Sequence, residues 1–121
     1  MQIAEKATLL RIFIGEDDRA DGRPLYEDIV LKAREAGLAG ATVLRGPMGF
    51  GRSSILHTAK ILRLSQDLPV VIEIVDSDEK IQGFLPLLDG YSSSCLVTLE
   101  QVTVVRYGGG PDAPGDSTPG R

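Results

Sequence analysis

The chain has no tryptophan, one cysteine, one histidine, three phenylalanines and three tyrosines in 121 residues. Each scarcity excludes something. With aromatics at 5%, a core must be built from aliphatic side chains. A single cysteine, Cys95, rules out an intramolecular disulfide and fits a reducing compartment. It reads as a small buried hydrophobe rather than a nucleophile, because nothing places His57 beside it as a base. His57 alone is a poor argument for a metal centre, which needs three or four ligands, and a structural or solvated role suits it better. No apolar run approaches the roughly 20 residues of a spanning helix. The opening Met-Gln-Ile-Ala-Glu-Lys lacks the basic start and apolar stretch of a signal peptide. A cytoplasmic protein, not inserted in a membrane, is expected. Basic charge is also in deficit. Thirteen Lys and Arg against seventeen Asp and Glu leave a formal net charge of −4, which argues against sequence-independent binding of nucleic acid.

What is present is an ordinary globular balance, 42% hydrophobic and 25% charged, in a length that suits one domain. Residues 7–15 read as a first strand, apolar on both faces and therefore central. The acidic turn at 16–22 is either a solvated loop or a set of carboxylates for a divalent cation. Pro24, then Leu25, Ile29, Ala33 and Ala36 at helical spacing, predict a helix over 23–36, with Gly37 at C′. Thr42, Val43 and Leu44 favour a second strand. Residues 55–64 fit a short helix or an extended arm equally well. Residues 69–75 are the clearest strand. Asp76 and Glu79 have capping-box spacing, and Ile81, Phe84, Leu85 and Leu88 predict a helix over 77–88, its last turn weakened by Pro86. Residues 91–94 form a small polar loop. The region 96–107 is extended, with a frame shift at Glu100-Gln101 that suggests a bulge or two short strands. Five of the fourteen glycines and three of the seven prolines fall in the last fourteen residues, so 108–121 is expected to be a disordered tail after a domain over 1–107.

The order is strand, helix, strand, long loop, strand, helix, strand, the β-α-β-β-α-β pattern of an α+β ferredoxin-like sandwich. Two helices would cover one face of a four-stranded antiparallel sheet. A chain this small cannot leave the other, apolar face wet, so a homo-oligomer with those faces packed together is expected.

Chemistry concentrates after the second strand, in Arg45-Gly-Pro-Met-Gly-Phe-Gly-Arg-Ser53. Glycine permits positive φ and close approach of a ligand to the backbone. Backbone N–H groups between two arginines suit phosphate or carboxylate. Arg45, Gly46, Gly49, Phe50, Gly51, Arg52 and Ser53 are therefore candidate ligand-binding residues, against the plainer reading of a surface loop with solvated arginines. Gly46 to Ser53 also nearly spells the phosphate-loop pattern G-x-x-x-x-G-K-[ST], with Arg52 where lysine belongs. A phosphate-loop nucleotidase is one alternative function; a metal-binding or purely structural trimer is another.

Gly49-Phe-Gly-Arg52 followed by His57 resembles the start of the long loop in PII signalling proteins. Residues 68–79 are similar to the strand and helix start after that loop, and 102–106 to the closing strand. A more specific resemblance is to the PII-like group named domain of unknown function 190. Its Thr-Val-Leu-Arg-Gly, Gly-Phe-Gly, His-Thr, Leu-Arg-Leu-Ser and Asp-Leu-Pro-Val-Val-Ile-Glu stand here at 42–46, 49–51, 57–58, 62–65 and 67–73. The resemblance spans about 7–107. It implies a homotrimer that binds an adenine nucleotide in clefts between subunits. The loop after the second strand would then change shape and meet a partner such as a transporter, channel or enzyme. Gly49, Gly51 and Arg52 would sit at the phosphates, Gly90 would begin the loop after helix two, and Arg106 would add a charge from the last strand. Two departures stand out. Ser53 replaces the family's glutamine, and Ser92-Ser-Ser-Cys95 replaces a Gly-Asp-Gly-Lys phosphate grip, which points to weak nucleotide binding or a different anion.

Overall fold

A computed structural model of the chain describes residues 5–50, 68–91 and 95–106. Strand β1, Glu5–Gly15, alternates from Thr8 onward. Leu10, Ile12 and Ile14 face inward, while Leu9, Arg11 and Phe13 turn to the other side and stay partly exposed. An unexpected hairpin follows. Strands β2, Arg19–Ala20, and β3, Arg23–Pro24, pair across Asp21-Gly22, whose φ values of +52° and +85° suit a tight two-residue turn.

Helix α1, Leu25–Glu35, therefore starts after β3 rather than at Arg23, with Pro24 at the N-cap. Proline has no side-chain oxygen to accept a cap bond, and the Leu25 N–H instead donates to the Asp18 carbonyl at 2.7 Å. At the other end Ala36 is the C-cap and Gly37 stands at C′ with φ +83°. The Gly37 N–H donates to Arg34 O and the Leu38 N–H to Ala33 O, both at 3.1 Å, the paired bonds of a Schellman motif.

Strand β4, Thr42–Arg45, leads to the glycines, and strand β5, Pro69–Asp76, returns. Helix α2, Asp78–Leu88, is capped by Ser77, whose Oγ accepts from the Lys80 N–H at 3.2 Å. The Asp76–Glu79 capping box does not form. Asp76 Oδ1 accepts from Ser77 N–H at 2.7 Å, and its Oδ2 accepts from Ala39 N–H at 2.8 Å, tying the end of β5 to the connection before β4. Pro86 is accommodated: the helix runs on to Leu88.

Strand β6, Leu96–Val104, is one unbroken element that pairs with β1 from Phe13↔Leu96 to Glu5↔Val104. No bulge interrupts it at Glu100-Gln101. The apparent frame shift arises because β6 is an edge strand exposed on both faces for most of its length, so its alternation records no burial.

The sheet order is β4-β5-β1-β6 with every neighbour antiparallel, and both helices lie on one face: an α+β ferredoxin-like sandwich. Between the layers Leu10, Ile12, Val70, Ile72 and Ile74 meet Leu25, Ile29 and Ala33 of α1 and Ile81 and Phe84 of α2. The core is aliphatic apart from Phe84. The opposite face has no covering layer among the described residues. The register sets Leu44, Val71, Phe13 and Leu96 in one row across it, and Thr42, Glu73, Arg11 and Thr98 in the next. In that second row the Arg11 Nε lies 2.9 Å from Glu73 Oε2, and its Nη1 lies 3.2 Å from Glu100 Oε1. Among the described residues no helix is long and apolar enough to cross a membrane.

Candidate functional site

The end of the sheet where β1 stops and β5 begins gathers most of the residues singled out in the sequence. Just past Arg45, the Gly46 N–H donates to the Pro69 carbonyl at 2.8 Å and extends the β4–β5 ladder by one rung. A Cβ on Gly46 or on Gly49 would sit 3.0 Å from Pro69 Cγ, and Gly49 has φ +154°. The backbone therefore lies against the proline ring, so a side chain at either position would have to push that ring aside, and at Gly49 it would also meet a φ that favours glycine. Met48 and Phe50 are 65% and 69% exposed and contribute nothing to the core. Gly51, Arg52 and Ser53 lie outside the described residues, as do residues 55–64, His57 and the tail at 108–121.

Arg45 is not a free cation. Its Nη2 is 2.8 Å from Glu16 Oε2, the first residue after β1. The Glu16 N–H donates to Leu68 O at 2.8 Å, which holds that carboxylate beside the start of β5. The acidic turn, read as a possible cation holder, uses its side chains otherwise. Glu16 pairs with Arg45, and Asp18 Oδ2 accepts from the Gly15 N–H at 3.0 Å. Among the described residues no three His, Cys, Asp or Glu side chains gather as a metal site would need.

Gly90 reaches the same end of the sheet by another route. Helix α2 starts at the far end, where Thr8 Oγ1 donates to Asp78 Oδ1 at 2.9 Å. Its eleven residues then return about 16 Å toward Pro69. Gly90 follows the C-cap Asp89 and lines a cleft of about 540 Å³ with Arg19, Asp28, Lys32 and Tyr91. Sequence reasoning missed the polar cluster there. The Tyr91 hydroxyl donates to Asp28 Oδ2 at 2.6 Å. Arg23 Nη1 lies 3.7 Å from Asp28, Lys32 Nζ 3.9 Å from it, and Lys32 Nζ 6.0 Å from the Tyr91 ring centre. Burial first, then the hydrogen bond to Asp28 and its charge, push the Tyr91 phenol well above its ordinary value. The only advance signal was the four-residue spacing of Asp28 and Lys32, too common to single out.

Arg106 stands apart. It follows the end of β6, opposite Glu5, while Arg45 and Gly46 lie near Gly15. The eleven-residue β1 separates those ends by about 30 Å. Arg45, Gly46, Gly49, Phe50 and Gly90 thus share one end of the subunit, and Arg106 belongs to the other.

Solved structures share this fold. CPII from Thiomonas intermedia K12, a nitrogen regulatory PII-like protein bound to ADP, AMP and bicarbonate, superposes with a TM-score of 0.62 at 15% identity, covering 84% of this chain and 98% of its own. TTHA0516 from Thermus thermophilus, assigned as a PII-like signaling protein, gives 0.59 at 18% identity over 84% and 92% of the two chains. At those identities the likeness is one of fold. Sequence relatives come closer. A UPF0166 protein of Aquifex aeolicus is 43% identical over 100 residues, 83% of this chain and 94% of the relative. The UPF0166 protein MJ1524 of Methanocaldococcus jannaschii is 40% identical over 83 residues, 69% and 76% of the two. Residues 7–104, nearly the whole described sandwich, match DUF190, the domain of unknown function 190 described as an uncharacterized ACR, and the chain belongs to that family.

Proposed function

We propose that the chain is a PII-like regulatory protein that works by binding rather than catalysis. On this reading it takes an adenine nucleotide or another small anion at clefts between subunits and offers the segment after β4 to a protein partner such as a transporter or channel. The observation that carries it is the sheet end itself: Arg45 and two glycines packed on Pro69, with Gly90 after the helix that returns toward that end, on a fold shared with a protein solved bound to ADP and AMP. Backbone donors and a guanidinium are the groups that recognise phosphate oxygens. Arg52, three residues after Gly49 in the sequence, would add the second fixed charge.

Two features support the homotrimer of this reading. The uncovered face carries an apolar row beside an ion cluster, a surface that a second copy can cover. Arg106 is about 30 Å from Arg45 within one chain, so only a neighbouring copy can bring it to the site. The same reading places the protein in the cytoplasm and treats 1–107 as the working domain, with 108–121 as an appendage. Against a phosphate-loop nucleotidase stands the strand before the glycines. β4 is an edge strand paired antiparallel with β5, whereas that motif joins a strand to a crossover helix in a parallel sheet.

Native mass spectrometry of the purified chain tests subunit number and any retained small molecule together. Titration calorimetry with AMP, ADP and bicarbonate tests the ligand class. Arg52→Ala should weaken binding by about 1.5–3 kcal/mol, the worth of a charge-assisted contact, and leave the melting temperature nearly unchanged. Equal binding by that variant, or hydrolysis of ATP with magnesium, would overturn the reading.

A further inference from the structure

Arg45 is held by a carboxylate from its own chain, and the geometry of that contact is built rather than incidental. Arg45 ends β4 and Glu16 directly follows β1, strands two places apart in the order β4-β5-β1 and about 10 Å across the sheet. Arg45 pairs with Val70 and Glu16 is bonded to Leu68, just before β5, so the 2.8 Å contact reaches across the start of β5. Both partners are fixed from behind. The Gly46 N–H on Pro69 O holds the end of β4, and the Glu16 N–H on Leu68 O holds the start of the acidic turn. Glu16 is the more enclosed of the two, its side chain 24% exposed against 56% for Arg45. A seated carboxylate thus faces an accessible guanidinium.

From this we infer that Glu16 is an internal stand-in for the anionic ligand, and that binding proceeds by exchange: phosphate oxygens replace the Glu16 carboxylate on Arg45. The inference rests on the regulatory reading above and adds to it a built-in competitor. It has two consequences. Ligand affinity is set below what Arg45 alone would give, because every anion must displace an acid already in place. Occupancy is also mechanically coupled, since release of Glu16 unties the end of β4 from the end of β1 at the root of the 46–68 segment. Removing one negative charge beside the site should help a ligand in proportion to its own charge.

The test is titration calorimetry on the full chain as wild type, Glu16→Gln, Arg45→Ala and the double variant, with AMP and bicarbonate as probes. Glu16→Gln should bind AMP about three- to fivefold tighter, the size set by a half-exposed ion pair, and bicarbonate with a smaller gain. Arg45→Ala should weaken AMP at least tenfold, and adding Glu16→Gln to it should restore nothing. Unchanged or weaker AMP binding by Glu16→Gln, with wild type still binding, overturns the exchange and leaves the regulatory reading intact. A gain that persists without Arg45 overturns it too, because it would report long-range charge alone. Absence of AMP and bicarbonate binding in all four proteins overturns both. Should Glu16→Gln fail to fold, Glu16→Asp retracts the carboxylate by one methylene, and the same exchange then predicts a smaller gain; no gain overturns it.

Discussion

The two faces of the sheet use the same strands for different ends. On the helix side Leu10, Ile12 and Ile72 have no exposed surface and pack on Ile29, Ile81 and Phe84. On the other side the same strands present Leu9, Phe13 and Val71 around Arg11 and its two glutamates, with Leu44 at 48% and Leu96 at 58% exposure. The first face is a finished core. The second has core composition at its edges and a polar keystone at its centre. Apolar area gives a docking surface its driving force, and a buried charge cluster fixes its register, since misaligned copies would leave charges unpaired. On the proposed reading, the contrast separates what keeps one chain folded from what would let copies recognise each other.

That separation can be broken at several points. Phe84→Ala should have the largest effect, a loss of about 3–5 kcal/mol in urea unfolding at fixed protein concentration, because it empties the centre of the finished face. A small loss would mean that the helix layer is not what stabilises the subunit. Phe13→Asp comes next. It sets a charge in the row Leu44–Val71–Phe13–Leu96 and should weaken association by on the order of 1–3 kcal/mol per subunit, read as a shift to monomer in sedimentation. An unchanged subunit number would remove that face from the interface.

Tyr91→Phe is the mildest. Losing the bond to Asp28 should cost about 0.5–1.5 kcal/mol near neutral pH. The sign of its pH dependence follows from the raised phenol. The folded chain holds that proton more tightly than the unfolded one, so the contribution is complete below about pH 10 and fades as pH rises past it. Wild type should lose stability above pH 10 more steeply than Tyr91→Phe; parallel curves would show that the contact adds nothing.

Much of this was legible beforehand. Both helices and strands β1 and β5 announce themselves through burial period, β4 and β6 through runs of strand-favouring residues, and their order alone specifies the sandwich. Legibility failed where burial does not write a pattern. The β2–β3 hairpin is two residues long on each side, too short for any periodicity, although Asp21-Gly22 is a known hairpin signal. β6 reads as a broken strand because it is wet on both faces. Asp76 looks like a cap because spacing cannot tell an intrahelical partner from the Ala39 N–H across the fold. The candidate site divides in the same manner. Glycines and arginines are visible as residue types, but Glu16 on Arg45 and Tyr91 on Asp28 join residues 29 and 63 positions apart, and no local pattern encodes such a meeting.

The stem formed by Gly46, Gly49 and Pro69 has a consequence for protein design. Because the strand ends are clasped to each other there, the sheet is indifferent to how much chain is spliced in beyond the clasp. Doubling an intervening stretch costs only about 0.6 kcal/mol of closure entropy. An engineer could therefore graft foreign recognition sequences at that junction while keeping the platform unaltered.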